Sequence, residues 1–157
     1  ETAAIYPGLC LLEGTNISEA RGTKMPFRQF GAPWIDSKVL AGRLNALNLP
    51  AMRFEPVSFT PANSKYRGRE CHGVRILVAD RDRLEPYFSG VRIVNEIRRL
   101  YPDQLEWRAS HFDRLCGTSK VRNAITSNSS LDALKSSWRK KLETFLKIRA
   151  GYLIYTD

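Results

Sequence analysis

The sequence predicts an α+β fold, a mixed, mostly antiparallel sheet with about three main helices packed on it, and three observations lead there. Val74, Ile76 and Val78 alternate with the period of two that a half-buried strand requires. Leu131, Leu134, Trp138, Leu142 and Phe145 recur at helical spacing, as do Ile93, Ile97 and Leu100. Extended and helical stretches follow one another unevenly, which suits α+β packing better than regular βαβ winding. A chain of 157 residues is the size of one domain and buries a core without staples, so a single domain over residues 1–157 is expected.

Taken in order, Ile5 to Leu12 is an apolar run interrupted by Pro7-Gly8 and reads as a buried strand that ends at Glu13. Gly, Ser, Thr and Asn then dominate as far as Lys24, a loop, after which Phe27 to Ile35 reads as extended. Asp36 caps a helix with Leu40, Leu44 and Leu47 on one face, and Pro50 stops it. An extended stretch punctuated by Pro56 and Pro61 leads into the polar segment Asn63 to Glu70 and then the Val74 strand. A second helix starts near Pro86 and ends at Tyr101-Pro102. The third follows a Ser129-Ser130 cap and stops at Gly151, with Tyr152 to Tyr155 as a closing strand. The acidic, Met-less start running into Ile5-Tyr6 suggests a chain that begins inside a longer protein.

Composition narrows the function classes. No apolar run approaches the roughly 18 residues of a membrane span. Cys10, Cys71 and Cys116 are an odd count without Cys-x-x-Cys spacing, which argues against a disulfide framework or a zinc knuckle. Cys71-His72 would need metal ligands brought from afar, so neither a metal nor another cofactor is expected. The net charge of +9 attracts polyanions in general: nucleic acid, anionic lipid or an acidic wall polymer. Nucleic-acid binding would rest on that charge alone, since the chain carries no zinc finger, aromatic-basic sheet motif or recognition-helix signature.

Polar functional groups concentrate in the loop Glu13 to Thr23. Glu13 is the candidate general acid or base, and Glu19 the local candidate for the second carboxyl that glycoside hydrolysis needs. Asn16 can bind an amide or hydroxyl, and Arg21 can grip a carboxylate with both arms of its guanidinium. A structural reading stands beside this one: Glu13 accepts hydrogen bonds from its own Gly-Thr-Asn turn while Arg21 neutralises it. In the turn-rich segment Ser64 to Gly73, Tyr66 offers an aromatic face to a pyranose and Lys65 a cation to an acidic substituent, with His72 beside them. Turn residues with a snorkelling lysine are the alternative there.

Read together, Tyr6-Pro7-Gly8-Leu9-Cys10-Leu11-Leu12-Glu13-Gly14-Thr15-Asn16, Ser18-Glu19-x-Arg21-Gly22-Thr23, Pro26-Phe27 and Gly31-Ala32-Pro33-Trp34 resemble the exo-β-N-acetylmuramidase family. The likeness continues through Phe54-x-Pro56, Ser58-Phe59-x-Pro61, Ser64-Lys65-Tyr66-x-Gly68-x-x-Cys71-x-Gly73-Val74 and Asp80-Arg81 to the Trp138 helix and Tyr152-Leu153-Ile154-Tyr155. It implies a two-part enzyme with a Rossmann-like region upstream, the present chain as its C-terminal portion, and a substrate cleft between them. It also implies hydrolysis of terminal N-acetylmuramic acid from peptidoglycan fragments or muropeptides, outside the cytoplasm, in the periplasm or after secretion, without a metal. Two positions depart from the family pattern: Ala20 replaces a glycine in Glu-Gly-Arg-Gly, and Ser127-Asn128 replaces a glycine before the last helix. The rival reading is a non-catalytic wall-binding or interface domain whose loop completes a partner domain's site.

Overall fold

The run Ile5 to Leu12 is helical rather than extended. In the computed structural model, which describes residues 2–154, helix α1 covers Thr2–Leu9 and a 3-10 turn covers Cys10–Gly14. Ile5, Gly8, Leu9 and Leu12 fall at i, i+3, i+4 and i+7 and form one buried face. A short, uniformly apolar run satisfies both a strand and a helix, and Pro7, read as a break in a strand, lies inside α1. Glu13 therefore projects from a 3-10 turn, not from a strand end.

The sheet has three strands, β1 (Gln29–Ala32), β2 (Met52–Phe59) and β3 (Cys71–Val78), in the order β1-β3-β2. Both pairings are antiparallel, with Phe30 opposite Val74 and Phe54 opposite Ile76. Pro56 is tolerated because β2 is an edge strand, where a missing N–H breaks no second ladder.

The three expected helices are α2 (Ser37–Ala46), α3 (Pro86–Leu100) and α6 (Leu131–Ala150). Their sequence signals work as chemistry: the Asp36 carboxylate accepts from the Lys38 and Val39 N–H at 2.9 and 3.0 Å, and Ser130 Oγ from the Ala133 N–H at 3.2 Å. Two short helices were not foreseen, α4 (Ala109–Cys116) and α5 (Lys120–Thr126), joined at the left-handed Gly117. Neither is long enough to repeat an apolar stripe, yet Phe112, Val121 and Ile125 are fully buried. The described residues thus hold six helices on an all-antiparallel sheet, an α+β fold with twice the helices expected.

Helix α6 outruns the body it packs on. Trp138, expected in the core, is half-buried against Tyr87 and Phe88, and the same stripe continues into solvent with Leu142 and Phe145 54% and 57% exposed. Tyr152 to Ile154 form no closing strand but an exposed turn, while Tyr155 lies outside the described residues. None of the described helices is long and apolar enough to cross a membrane.

All three cysteines are free. Burial pushes the Cys71 and Cys116 thiols up to about 11. An unfolded thiol ionises first, near 9.0, so each group takes stability away as pH rises from there toward 11. Iodoacetamide at pH 8 is expected to label Cys71 and Cys116 about tenfold or more slowly in the native chain than in urea, because thiolate is the reacting form. Equal rates would show that neither thiol is shielded.

Candidate active site

The loop after the 3-10 turn is pinned rather than free. Thr15 bridges to Trp107 and Ser18 to Gly31, the latter by reciprocal backbone hydrogen bonds of 2.9 and 3.0 Å. Gly14 lets α4 pack directly on the turn, since a Cβ there would come within 2.6 Å of Phe112. Thr15, Ile17, Ser18, Glu19 and Ala20 are consequently buried, and the segment that looked like a surface loop is part of the interior.

Four of the predicted residues meet there. Glu19, 3% exposed, takes Arg21 Nε on one carboxylate oxygen at 3.2 Å and Lys65 Nζ on the other at 3.0 Å. Lys65 also donates to the Leu12 and Ile17 carbonyls at 2.9 and 2.8 Å. Burial draws its pKa below the usual lysine value, with Glu19 pulling the other way. Arg21 reaches Glu13 at 3.3 Å with its terminal nitrogen, and its guanidinium lies 4.8 Å over the Phe27 ring, which in turn stands edge-on to Tyr6. Glu13 is the partly open carboxylate of the group, and its buried Oε1 is held by that Arg21 ion pair without a well-aligned hydrogen bond among the described residues.

Backbone strain concentrates around these side chains. Seven described non-glycine residues have positive φ, and Ala20, Phe27, Ser64 and Tyr66 all frame the cluster. Ala20, at the position where the resemblance leads one to expect glycine, adopts φ 58°, a left-handed conformation that costs an alanine some strain. Ser64 and Tyr66 flank Lys65 and turn it inward. Left-handed non-glycine residues cost of order 1–3 kcal/mol each and persist where the surroundings over-determine them, commonly at functional sites.

The other predicted residues are placed differently. Both amide atoms of Asn16 are committed to backbone, donating to Gln104 O at 2.8 Å and accepting from the Glu106 N–H at 3.1 Å. Tyr66 is half-buried with the Arg69 guanidinium 5.6 Å over its ring. His72 sits on β3 with Nδ1 2.9 Å from Ser58 Oγ on β2. Two neighbours escaped sequence reasoning as site residues. Phe27 supports Arg21, and Arg108, brought in by the Thr15–Trp107 bridge and its own N–H bond to Gly14, lies near enough to Lys65 to act on it electrostatically. No local pattern marks Arg108. Among the described residues no group of three or more His, Cys, Asp or Glu side chains is placed to hold a metal ion.

Chemically, the arrangement offers one accessible anionic acceptor, Glu13, beside a half-exposed guanidinium locked in orientation by two carboxylates and an aromatic face. Glu19 and Lys65 hold that pair in place from below. A family model described as the C-terminal region of the exo-β-N-acetylmuramidase NamZ matches residues 4–155. The peptidoglycan β-N-acetylmuramidase NamZ of Bacillus subtilis (strain 168) is 43% identical over 156 residues, covering 99% of this chain and 38% of that protein. A crystal structure of a DUF1343 family protein from Bacteroides fragilis NCTC 9343 superposes with a TM-score of 0.87 at 25% identity, over 98% of this chain and 42% of that one. A second protein of that family and organism, with a TM-score of 0.64 at 24% identity over 99% and 41% of the two chains, has a similar fold. The chain spans less than half the length of these relatives.

Proposed function

We propose, from the premise that the chain belongs to the family of C-terminal regions of the exo-β-N-acetylmuramidase NamZ, that it is one part of a glycosidase that releases terminal N-acetylmuramic acid from peptidoglycan fragments. The observation that carries this reading is the Glu13–Arg21 pair, an accessible carboxylate and a pre-oriented guanidinium over a buried counter-pair. Glu13 takes the acid/base or substrate-binding role, and Arg21 the carboxylate of an acidic amino sugar, which its fork matches in geometry. Lys65 and Asn16 act as positioning residues, since their polar atoms are already bonded within the chain. Tyr66 remains the candidate aromatic face for the sugar, and His72, on β3 against Ser58, a further candidate contact. Peptidoglycan lies outside the cytoplasm, so we place the activity there.

Glycoside hydrolysis by two carboxyls needs a second one facing the scissile bond. Glu19 is a poor candidate, because both its oxygens are engaged and it is buried. We therefore assign the second carboxyl to the region preceding this chain in the longer relatives. The apolar stripe that α6 carries into solvent at Leu142, Phe145 and Leu146 supports a contact with that region. It favours a second reading too, in which this chain is a non-catalytic interface region that completes the partner's site.

Glu13→Gln in the full-length protein is expected to lower kcat/KM on muropeptides about a hundredfold, with an unchanged melting temperature. Intact turnover would remove Glu13 from the mechanism. Hydrolysis of a chromogenic muramic acid glycoside by this chain alone would refute the assignment of the second carboxyl upstream. Activity confined to the full-length protein, undiminished by Glu13→Gln, would favour the interface reading.

A further inference from the structure

A surface cleft of about 680 Å³ shares no lining residue with the Glu13 cluster. One wall is α3, where Arg92, Asn95 and Arg99 fall at i, i+3 and i+7 with Arg98 beside them. The other is the turn from α5 into α6, including Asn128 and Ser129. The charges in it are unbalanced. Glu96 also lines the cleft, but it is 2% exposed and bound to Arg43 of α2 at 2.7 Å. That leaves three guanidiniums facing Asp132 as the one other acid of the lining. Among the described residues, Arg92, Arg98 and Arg99 make no ion pair or hydrogen bond, whereas Arg21, Arg43 and Arg122 each hold a carboxylate.

Helix chemistry alone does not account for this. Cations are favoured in the last turn of a helix, which covers Arg98 and Arg99, but Arg92 lies two turns earlier. Like charges gathered in a concavity repel one another and destabilise the fold unless something neutralises them. A cleft of this volume is in the range of small-molecule sites, and planar guanidinium forks match carboxylate and phosphate oxygens. The Asn95 and Asn128 amides in the lining add neutral donors.

We propose that this cleft is a binding site for a small ligand carrying two or more oxyanion groups, carboxylate or phosphate, held by Arg92, Arg98 and Arg99. The proposal is independent of the glycosidase reading, because binding here requires neither Glu13 nor turnover.

The test is calorimetric titration of the intact protein with citrate and, separately, pyrophosphate, in buffer of about 0.1 M chloride to screen diffuse attraction. At least one probe is expected to bind with a dissociation constant below about 1 mM, each lost guanidinium costing about tenfold. Tighter binding of citrate marks a carboxylate ligand, tighter binding of pyrophosphate a phosphorylated one, and equal binding the shared oxyanion chemistry. Arg92→Ala/Arg99→Ala should weaken binding about a hundredfold. Arg92→Lys, which keeps the charge and loses the fork, should weaken it several-fold. Arg139→Ala/Lys140→Ala removes the same charge from exposed α6 and should leave binding unchanged. No binding of either probe, or equal loss in the α6 control, overturns the proposal.

Discussion

Lys65→Met is expected to destabilise the fold by about 3–5 kcal/mol, the range for removing one partner of a buried ion pair. The side chain is 10% exposed and its ammonium serves three acceptors at once: Glu19 and the carbonyls of Leu12 and Ile17. Without it Glu19 stays buried with only Arg21 as counter-charge, and the two carbonyls lose a charged donor. An exposed pair would cost about 1 kcal/mol or less, so the two magnitudes separate a buried clamp from a surface contact. The pair need not be worth much in itself. Burial outweighs the attraction of Glu19 in setting the Lys65 pKa, which implies that desolvation takes back much of the Coulomb gain. Glu19→Leu/Lys65→Met should therefore recover most of the loss, and a double-mutant cycle of urea midpoints reads the coupling directly. The pH dependence carries a definite sign. A lysine whose folded pKa is lowered releases its proton earlier in the native state, so its contribution rises as pH climbs from that value toward 10.5 and vanishes from the slope in the methionine variant. A cost below about 1 kcal/mol would mean that the Glu13–Arg21 geometry is not built on this lysine.

What could be read from the sequence follows the range of the interactions. Helices α2, α3 and α6 carry both an apolar period and a terminal residue, Asp36, Pro86 or Ser130, whose chemistry acts within three or four positions, and all three form where expected. Strand β3 announces itself through Val74, Ile76 and Val78, and β2 reads as an extended stretch whose one proline, Pro56, sits on an edge strand. Helix α1 misreads as a strand because its apolar run has no polar residue to reveal the period. Helices α4 and α5 are fixed by contacts of Phe112, Val121 and Ile125 with distant residues, not by pattern. Within the site, Glu13 with Arg21 is a local pairing that the loop suggests. Lys65 with Glu19 closes over 46 positions, and Asn16 with Gln104 over 88. Neither has a local signature, which is why Asn16 reads as a free ligand and proves to be a brace. Nothing local to Ala20 announces its φ of 58°, which follows from the packing around it.

Gly8→Ala is expected to cost more than about 3 kcal/mol, although the same change elsewhere in a helix stabilises. At Gly8 and Gly90, α1 and α3 cross with their backbones in direct contact. A Cβ on Gly8 would be driven into the Pro86 carbonyl and lie 3.1 Å from Gly90 N, while one on Gly90 would lie 2.5 Å from Gly8 Cα. Backbone cannot swing aside as a flexible side chain does, and retreat of α1 would open gaps around Ile5 and Leu9, both fully buried. Gly42 provides the control. It lies in α2 with nothing within 4 Å of its would-be Cβ, so Gly42→Ala should stabilise by about 0.5–1 kcal/mol through helix propensity alone. The consequence reaches the site, because α1 runs straight into the 3-10 turn that carries Glu13. In the full-length protein Gly8→Ala should lose turnover along with stability, whereas Glu13→Gln should lose turnover alone. Thermal melts with matched kinetics distinguish the two, and a Gly8→Ala protein as stable as the parent would show that α1 and α3 do not cross in backbone contact.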